Sequence, residues 1–315
     1  MNSSLKKISV VAGCYNEKGN LQEFYDRLIT VFKQLPKYDY EIIVADNSST
    51  DGSQDILRRL TTADKKFKVI LNSNNFGQIR SPFNALLQAS GDVVVAITSD
   101  LQNPPEMIFE FIKKWEDGYD VVIAVKRKTQ EKAMLSGIRD FYYHLLSRFS
   151  DTDHVIRGFM GFGLYDRKFM NALKLYKNSY PYFRGLVGEI GFNRAEVLFD
   201  QPARKRGQSK NNLFTLYDIA MTGFVNHSKL PLRLAAFTGF CLAGVSLVTA
   251  MVYLVYKILY WNSFQLGLAP VVIGLFFFSS VQLIFIGIIG EYIGAIHTQV
   301  QKRPLVIEKE RINFD

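Results

Sequence analysis

Glu41-Ile42-Ile43-Val44-Ala45-Asp46-Asn47-Ser48-Ser49-Thr50-Asp51-Gly52 sets four apolar residues, three of them β-branched, directly ahead of seven short polar or glycine positions. An unbroken apolar run of this kind suits a strand buried on both faces, and the block that follows is turn chemistry. The punctuation recurs along the chain. Ile8–Ala12, Lys68–Leu71, Val93–Thr98 and Val121–Val125 are further strand candidates, with helix-period stretches between them. In Leu21–Leu35, the side chains of Leu21, Phe24, Leu28, Val31 and Leu35 share one helical face. Strands alternating with helices predict an α/β domain built on a mostly parallel sheet.

Ligands of such sheets bind beyond the carboxyl ends of the strands, so chemistry is expected in the turns that follow them. Those turns read Tyr15-Asn16-Glu17, Asp46 through Gly52, Asn75-Phe76-Gly77-Gln78, and Ser99-Asp100-Leu101-Gln102-Asn103-Pro104-Pro105. A carboxylate at Asp46 suits a base imide or ribose hydroxyls; the same turn also reads as a helix start capped by Ser49 or Asp51. Asp100, facing a diphosphate, suits a magnesium or manganese ion. No Gly-x-Gly-x-x-Gly or Walker loop follows any strand, which argues against dinucleotide oxidoreductases and P-loop kinases. The four histidines (144, 154, 227 and 297) lack ligand spacing, and two cysteines, Cys14 and Cys241, support neither a disulfide framework nor a zinc site.

The apolar excess lies at the C-terminal end. Ala235–Tyr256 and Gly267–Gly290 lack any charged side chain, and each is long enough to cross a bilayer. Lys205, Arg206, Lys210, Lys229 and Arg233 precede the first stretch, and Lys302 and Arg303 follow the second, whereas the connection, Lys257–Leu266 with Tyr260 and Trp261, offers only Lys257. That asymmetry predicts both ends on the cytoplasmic side. The N-terminus shows no signal-type apolar core, so an unexported catalytic domain is expected. The net charge of +9 gathers beside the apolar stretches without interleaved aromatics, which favours anionic lipid over nucleic acid. The expected division is a domain over 1–210, an amphipathic segment over 211–230 that lies in the interface or packs on the domain, spans over 233–257 and 267–292, and a cytoplasmic tail over 293–315.

Cys14-Tyr15-Asn16-Glu17, Glu41–Asp46 with Thr50-Asp51-Gly52-Ser53, Asn75-Phe76-Gly77, Ser99–Glu106, Arg204-x-x-Gly207-x-Ser209-Lys210 and Ile289-Gly-Glu-Tyr-Ile-Gly294 with Arg303-Pro304 follow one another in order. This set resembles the family 2 glycosyltransferases, and within them the polyprenyl-phosphate sugar transferases, over nearly the whole chain. The resemblance implies a GT-A (Rossmann-like) fold and inverting transfer of a monosaccharide from a nucleotide sugar, UDP-sugar favoured, to a polyprenyl (undecaprenyl) phosphate at the inner membrane. It implies a divalent ion, Mg2+ or Mn2+, at Asp100, and nucleotide contacts among Tyr15, Asn16, Glu17, Asp46, Asn47, Asn75, Gly77, Ser99 and Gln102. Arg204, Ser209 and Lys210 are the implied acceptor-phosphate residues. A homo-oligomer is expected, because two thin spans carry a large domain.

Three positions depart from the family pattern. Thr98 stands where the first acid of Asp-x-Asp is usual, Asn47 replaces a second acid after Asp46, and Gly161, in Met160-Gly161-Phe162-Gly163-Leu164, replaces the acid often assigned as base. A lipid phosphate ionises for the second time near pH ~6 and is already anionic at neutral pH, so it needs positioning and charge neutralisation more than a base. Arg204, Lys210 and Arg127 are candidates for that neutralisation, alongside Asp100 as the catalytic acid residue. Glu189 is a reserve candidate on the acceptor side or a helix-surface charge. The alternative reading is a catalytically silent relative that binds a nucleotide sugar or serves as a scaffold. A polymer-extending transferase fits less well, since Gln-x-x-Arg-Trp is absent.

Overall fold

The computed structural model of the protein describes residues 5–127, 156, 158–202, 230–260 and 268–314. Five strands form where the apolar runs place them: β1 (Lys6–Cys14), β2 (Tyr38–Asp46), β3 (Phe67–Asn72), β4 (Val93–Thr98) and β5 (Val121–Lys126). Helices α1 (Leu21–Lys33), α2 (Ser53–Ala63), α3 (Gly77–Gln88) and α4 (Ile108–Glu116) alternate with them. The period of α1 turns Leu21, Phe24, Leu28 and Val31 into the core, and Leu35, just beyond the helix, is buried with them. At the start of α2 the expected caps give way to Gly52, whose φ of +89° favours glycine. Asp51, one residue before that cap, accepts from the Ser53 N–H at 3.0 Å.

Three more strands, β6 (Phe159–Asp166), β7 (Arg194–Phe199) and β8 (Glu308–Ile312), join with α5 (Arg167–Leu173) and α6 (Phe183–Ile190). The sheet has eight strands in the order β7-β5-β6-β4-β1-β2-β3-β8. Strands β3, β2, β1 and β4 are parallel neighbours, as are β5 and β7, while β6 and β8 run antiparallel to their partners. Close packing fixes two glycines. A side chain at Gly13 would come within 2.8 Å of Pro82 on α3, and one at Gly163 would collide with the Val122 carbonyl oxygen. The register sets Cys14 beside Asp46 and Gly13 beside Thr98, so the ends of β2, β1 and β4 form one edge.

Helices α7 (Leu230–Leu259) and α8 (Leu268–Val300) are long and apolar enough to cross a membrane. At about 1.5 Å per residue they measure roughly 45 and 50 Å, against a hydrocarbon core of about 30 Å. Neither is covered by the rest of the described protein, which removes the reading of buried core helices. Lys257, expected in the connection, lies inside α7, and α8 runs on to Val300 rather than ending at 292. The amphipathic segment expected over 211–230 lies outside the described residues except for Leu230, where α7 begins. Residues expected as a free tail instead return to the sheet as β8, pairing with β3 from Val69↔Ile312 to Asn72↔Glu308.

Candidate active site

Each of the three central strands ends in a turn with a non-glycine residue in the left-handed region: Asn16 (φ +57°) after β1, Ser48 (+62°) after β2 and Leu101 (+61°) after β4. Such residues are uncommon and concentrate at functional sites, where the surrounding structure holds them in place. Here the hold is mutual. Asn16 donates its N–H to Ser49 Oγ at 2.8 Å, and its side-chain oxygen accepts from the Thr50 N–H at 2.8 Å. Ser53 Oγ receives the Glu17 N–H at 3.1 Å, and Asp51 receives the Lys18 N–H at 3.1 Å. The β1 and β2 turns are therefore one bonded unit. Tyr15 is half-buried beside it, and Glu17 is buried, accepting from Asn20 at 2.6 Å.

Asp46 sits on the floor of this unit, fully buried. Its Oδ2 accepts from the Ser49 N–H at 3.0 Å and from Gln54 Nε2 at 2.8 Å, whereas its Oδ1 is buried without a hydrogen-bond partner. An orphaned buried acceptor costs about 1–3 kcal/mol and calls for an explanation. Cys14 lies beside it, and burial, then the Asp46 and Glu17 carboxylates, push its thiol well above the usual range. It is a packed, protonated side chain rather than a nucleophile.

Asn47 ties in the third turn. It donates to Asn75 Oδ1 at 2.6 Å and to the Gly77 carbonyl at 3.2 Å, and accepts from the Phe76 N–H at 2.8 Å. Gly77 has φ +83°, again a glycine position. The amide at Asn47, where a second acid is the family's habit, can both donate and accept, and its three bonds here use both abilities.

The β4 turn gathers oxygen. Thr98 Oγ1 lies 2.6 Å from Asp100 Oδ1 and closer still to Asn103 Oδ1, and Asp100 Oδ1 also accepts from the Gln102 N–H at 3.1 Å. Ser99 Oγ donates to the Gly13 carbonyl at 2.8 Å, bonding this turn to the end of β1. A threonine hydroxyl has one proton for two neighbouring acceptors, so the cluster carries more acceptor than donor capacity. Three hard oxygens with one carboxylate fit a magnesium-like cation that draws its remaining ligands from phosphates and water. Among the described residues no group of three or more His, Cys, Asp or Glu side chains offers a self-sufficient metal cage.

The other expected residues divide. Arg127 follows β5 on the same edge of the sheet and pairs with Asp200, after β7, at 3.2 Å. Glu189 is bonded to the Tyr176 hydroxyl, which raises that phenol's pKa after burial does. That bond ties the exposed Glu189, on α6, to the segment that follows α5. Arg204, Ser209 and Lys210 lie outside the described residues. Gln54 went unnoticed in the sequence, and Ser49, Ser53 and Asn103, quoted there within the turns, were not given the bonding roles they have here. Ser53 and Gln54 had a signal, since both open a helix directly after the β2 turn.

Gly161 has φ +92° and lies where β6 loses register with β5, between Ile123↔Gly163 and Val125↔Phe159. Extending the β4–β6 register two residues beyond Ala96↔Gly163 brings Gly161 level with Thr98.

Comparison with known proteins agrees with this geometry. The chain is 35% identical over 308 residues to the uncharacterized glycosyltransferase YkcC of Bacillus subtilis, covering 98% of this chain and 94% of that one. It is 29% identical to the SfII prophage-derived bactoprenol glucosyl transferase of Shigella flexneri, covering 96% and 98%. Glucosyl-3-phosphoglycerate synthase from Mycobacterium tuberculosis, solved with Mn2+, UDP and phosphoglyceric acid, shares the fold with a TM-score of 0.50 at 18% identity, over 70% of this chain and 76% of that one. The family model for glycosyl transferase family 2 matches residues 9–173, the stretch that carries all four bonded turns. With a GT-A sheet and a family match over more than half of its length, the chain belongs to glycosyl transferase family 2.

Proposed function

We propose that the protein transfers a monosaccharide from a nucleotide sugar, a UDP-sugar foremost, to a polyprenyl phosphate on the cytoplasmic face of the inner membrane, with inversion at the anomeric carbon. The observation that carries this reading is the unpartnered Asp46 Oδ1 on the same sheet edge as the oxygen cluster of Thr98, Asp100 and Asn103, with one strand between them, in a chain with two membrane-length helices. A base N–H is the missing partner of Asp46, and Tyr15, Asn16 and Glu17 line the same turn. Asn47, Asn75, Gly77, Ser99 and Gln102 complete the nucleotide contacts. The cluster around Asp100 fits a divalent ion, which when bound neutralises charge on the departing diphosphate. The named bactoprenol transferase relative and the Mn2+–UDP complex of the fold neighbour support the acceptor and the donor.

An oxygen of the lipid phosphate attacks the anomeric carbon as the bond to the diphosphate oxygen breaks, and the nucleoside diphosphate leaves with the electron pair. No proton need be removed, because a phosphate monoester is mostly dianionic at pH 7. This agrees with Gly161 standing where a base is expected. Arg127, Arg204, Ser209 and Lys210 are assigned to positioning and neutralising the acceptor. Return of the chain from α8 to the sheet supports the orientation: if both helices cross, the domain and the tail share one side, and the flanking basic residues favour the cytoplasm for that side.

The test incubates membranes containing the protein, Mg2+ or Mn2+ and labelled nucleotide sugars with undecaprenyl phosphate or undecaprenol. Label should enter the chloroform-soluble fraction with the phosphate and not with the alcohol, and Asp100→Ala should abolish it. Absence of lipid-linked sugar with every common donor contradicts the proposal. Thr98 and Gly161 favour a second reading, a silent nucleotide-sugar-binding scaffold, under which Asp100→Ala leaves the cellular effect of the protein unchanged.

A further inference from the structure

The chain that leaves α8 does more than close the sheet. Lys302, at φ +46°, and Pro304 end the helix, and the following residues run beside the turn between β3 and α3. Ser73 donates its N–H to the Ile307 carbonyl at 2.9 Å. Arg80, in the first turn of α3, donates through Nη2 to the Pro304 carbonyl at 2.5 Å, and its guanidinium lies 5.3 Å from the centre of the Phe76 ring. One turn along, Asn84 donates to Glu308 Oε1 at 2.8 Å. Val306 is buried, and Leu305 packs against the core formed with α3.

The Asn75–Gly77 turn is therefore gripped from two directions. Asn47 holds it from the β2 side through three hydrogen bonds, and the tail holds it from the outer edge. Arg80 joins the two grips, because one planar side chain touches both Phe76, inside the turn, and Pro304, in the tail. Its Nε is buried without a partner, so its position is set by those two contacts and not by a full complement of bonds. A second tie to the tail lies elsewhere: Arg58, on α2, pairs with Glu310 at 2.5 Å, away from the turn.

We infer that Arg80 is a positioning residue through which the returning tail holds the Asn75–Gly77 turn in its nucleotide-binding shape, so that donor affinity depends on the segment that leaves the second membrane helix. This rests on reading that turn as part of the donor site. Arg80 does not touch the reacting atoms, and its loss should act on donor binding and not on the chemical step.

Three full-length proteins in nanodiscs decide it: wild type, Arg80→Ala and Arg58→Ala. In the ligand-free proteins, hydrogen exchange at residues 73–77 should accelerate about tenfold in Arg80→Ala and stay near wild type in Arg58→Ala. With UDP-glucose and Mg2+, Arg80→Ala should raise the donor KM about tenfold with kcat within twofold, and Arg80→Lys, which restores the donor to the Pro304 carbonyl, should recover part of it. Unchanged exchange in Arg80→Ala, or equal losses in Arg80→Ala and Arg58→Ala, overturns the inference. If wild type binds no nucleotide sugar, the proposed function fails, and the exchange measurement still judges the role of Arg80 in shaping the turn.

Discussion

The buried part of strand β2, Glu41 to Asp46, carries a carboxylate at each end, and the surroundings of the two are opposite. At the amino end, Glu41 is 1% exposed, accepts from Ser9 Oγ at 2.5 Å and from the Ser90 N–H at 2.7 Å, and lies 3.1 and 2.9 Å from the Lys7 and Lys68 ammonium groups. Burial alone raises its pKa. The bonds from Ser9, Ser90, Lys68 and Lys7 outweigh that and hold it at about 2. At the carboxyl end, Asp46 meets two neutral donors on one oxygen and nothing on the other, with no ion pair among the described residues. One acid is consumed by the fold. The other is left with capacity for a guest, as are the oxygens around Asp100 on the same edge.

The comparison yields predictions that separate activity from stability. The largest effect is expected for Asp100→Ala, which removes the only carboxylate of the oxygen cluster: kcat for sugar transfer falls by at least about 10²-fold. The melting temperature stays within about two degrees, as expected of a side chain on the open edge. Glu41→Gln should do the reverse. It leaves two lysines facing a neutral amide and costs about 3 kcal/mol, a drop of roughly 5–10 °C for a domain of this size. The folded fraction keeps its specific activity. A melting temperature equal to wild type for Glu41→Gln, or a loss of turnover without a loss of stability, breaks the contrast.

Acid sharpens it. The pKa of Glu41 is depressed in the folded state from 4.5 to about 2, so its contribution is complete above about pH 4.5 and is lost as pH falls toward 2. That contribution is on the order of 3.5 kcal/mol. Denaturant unfolding of wild type between pH 5 and 2.5 should show most of this slope, and Glu41→Gln should lack it. The smallest expected effect is a gain. Thr98→Asp adds a second carboxylate beside Asp100 and should lower the Mg2+ or Mn2+ concentration for half-maximal transfer by roughly threefold to tenfold, since ligand charge sets cation affinity. No change in metal dependence would mean that the cluster does not hold the ion.

The parallel core was legible because β1 to β5 are apolar runs closed by polar turns, a pattern that burial on both faces imposes. Strands β6, β7 and β8 were not. Phe159–Asp166 is interrupted by Gly161 and Gly163, whose reasons are a left-handed φ and a close approach to Val122, and Glu308–Ile312 carries four charged residues among its five. An edge strand reads as tail when its partner lies more than 200 residues away. The turn residues of the site were visible as a list after each strand. Their bonding was not, because Asn16 to Ser49, Asn47 to Asn75 and Ser99 to Gly13 are long-range contacts set by register. The Gly52 cap was missed because Asp51 and Ser49 are stronger cap signals; Ser49 is taken by the β1 turn, and Asp51 divides its two oxygens between that turn and Ser53.

The sharpest test of the contrast is equilibrium binding of UDP and UDP-glucose, with Mg2+, to the purified full-length protein and to Asp46→Asn. The substitution keeps an oxygen for Ser49 and Gln54 and turns the open acceptor into a donor. The account predicts binding by wild type and at least tenfold weaker binding by Asp46→Asn at an unchanged melting temperature. Equal affinity in the two proteins would contradict it.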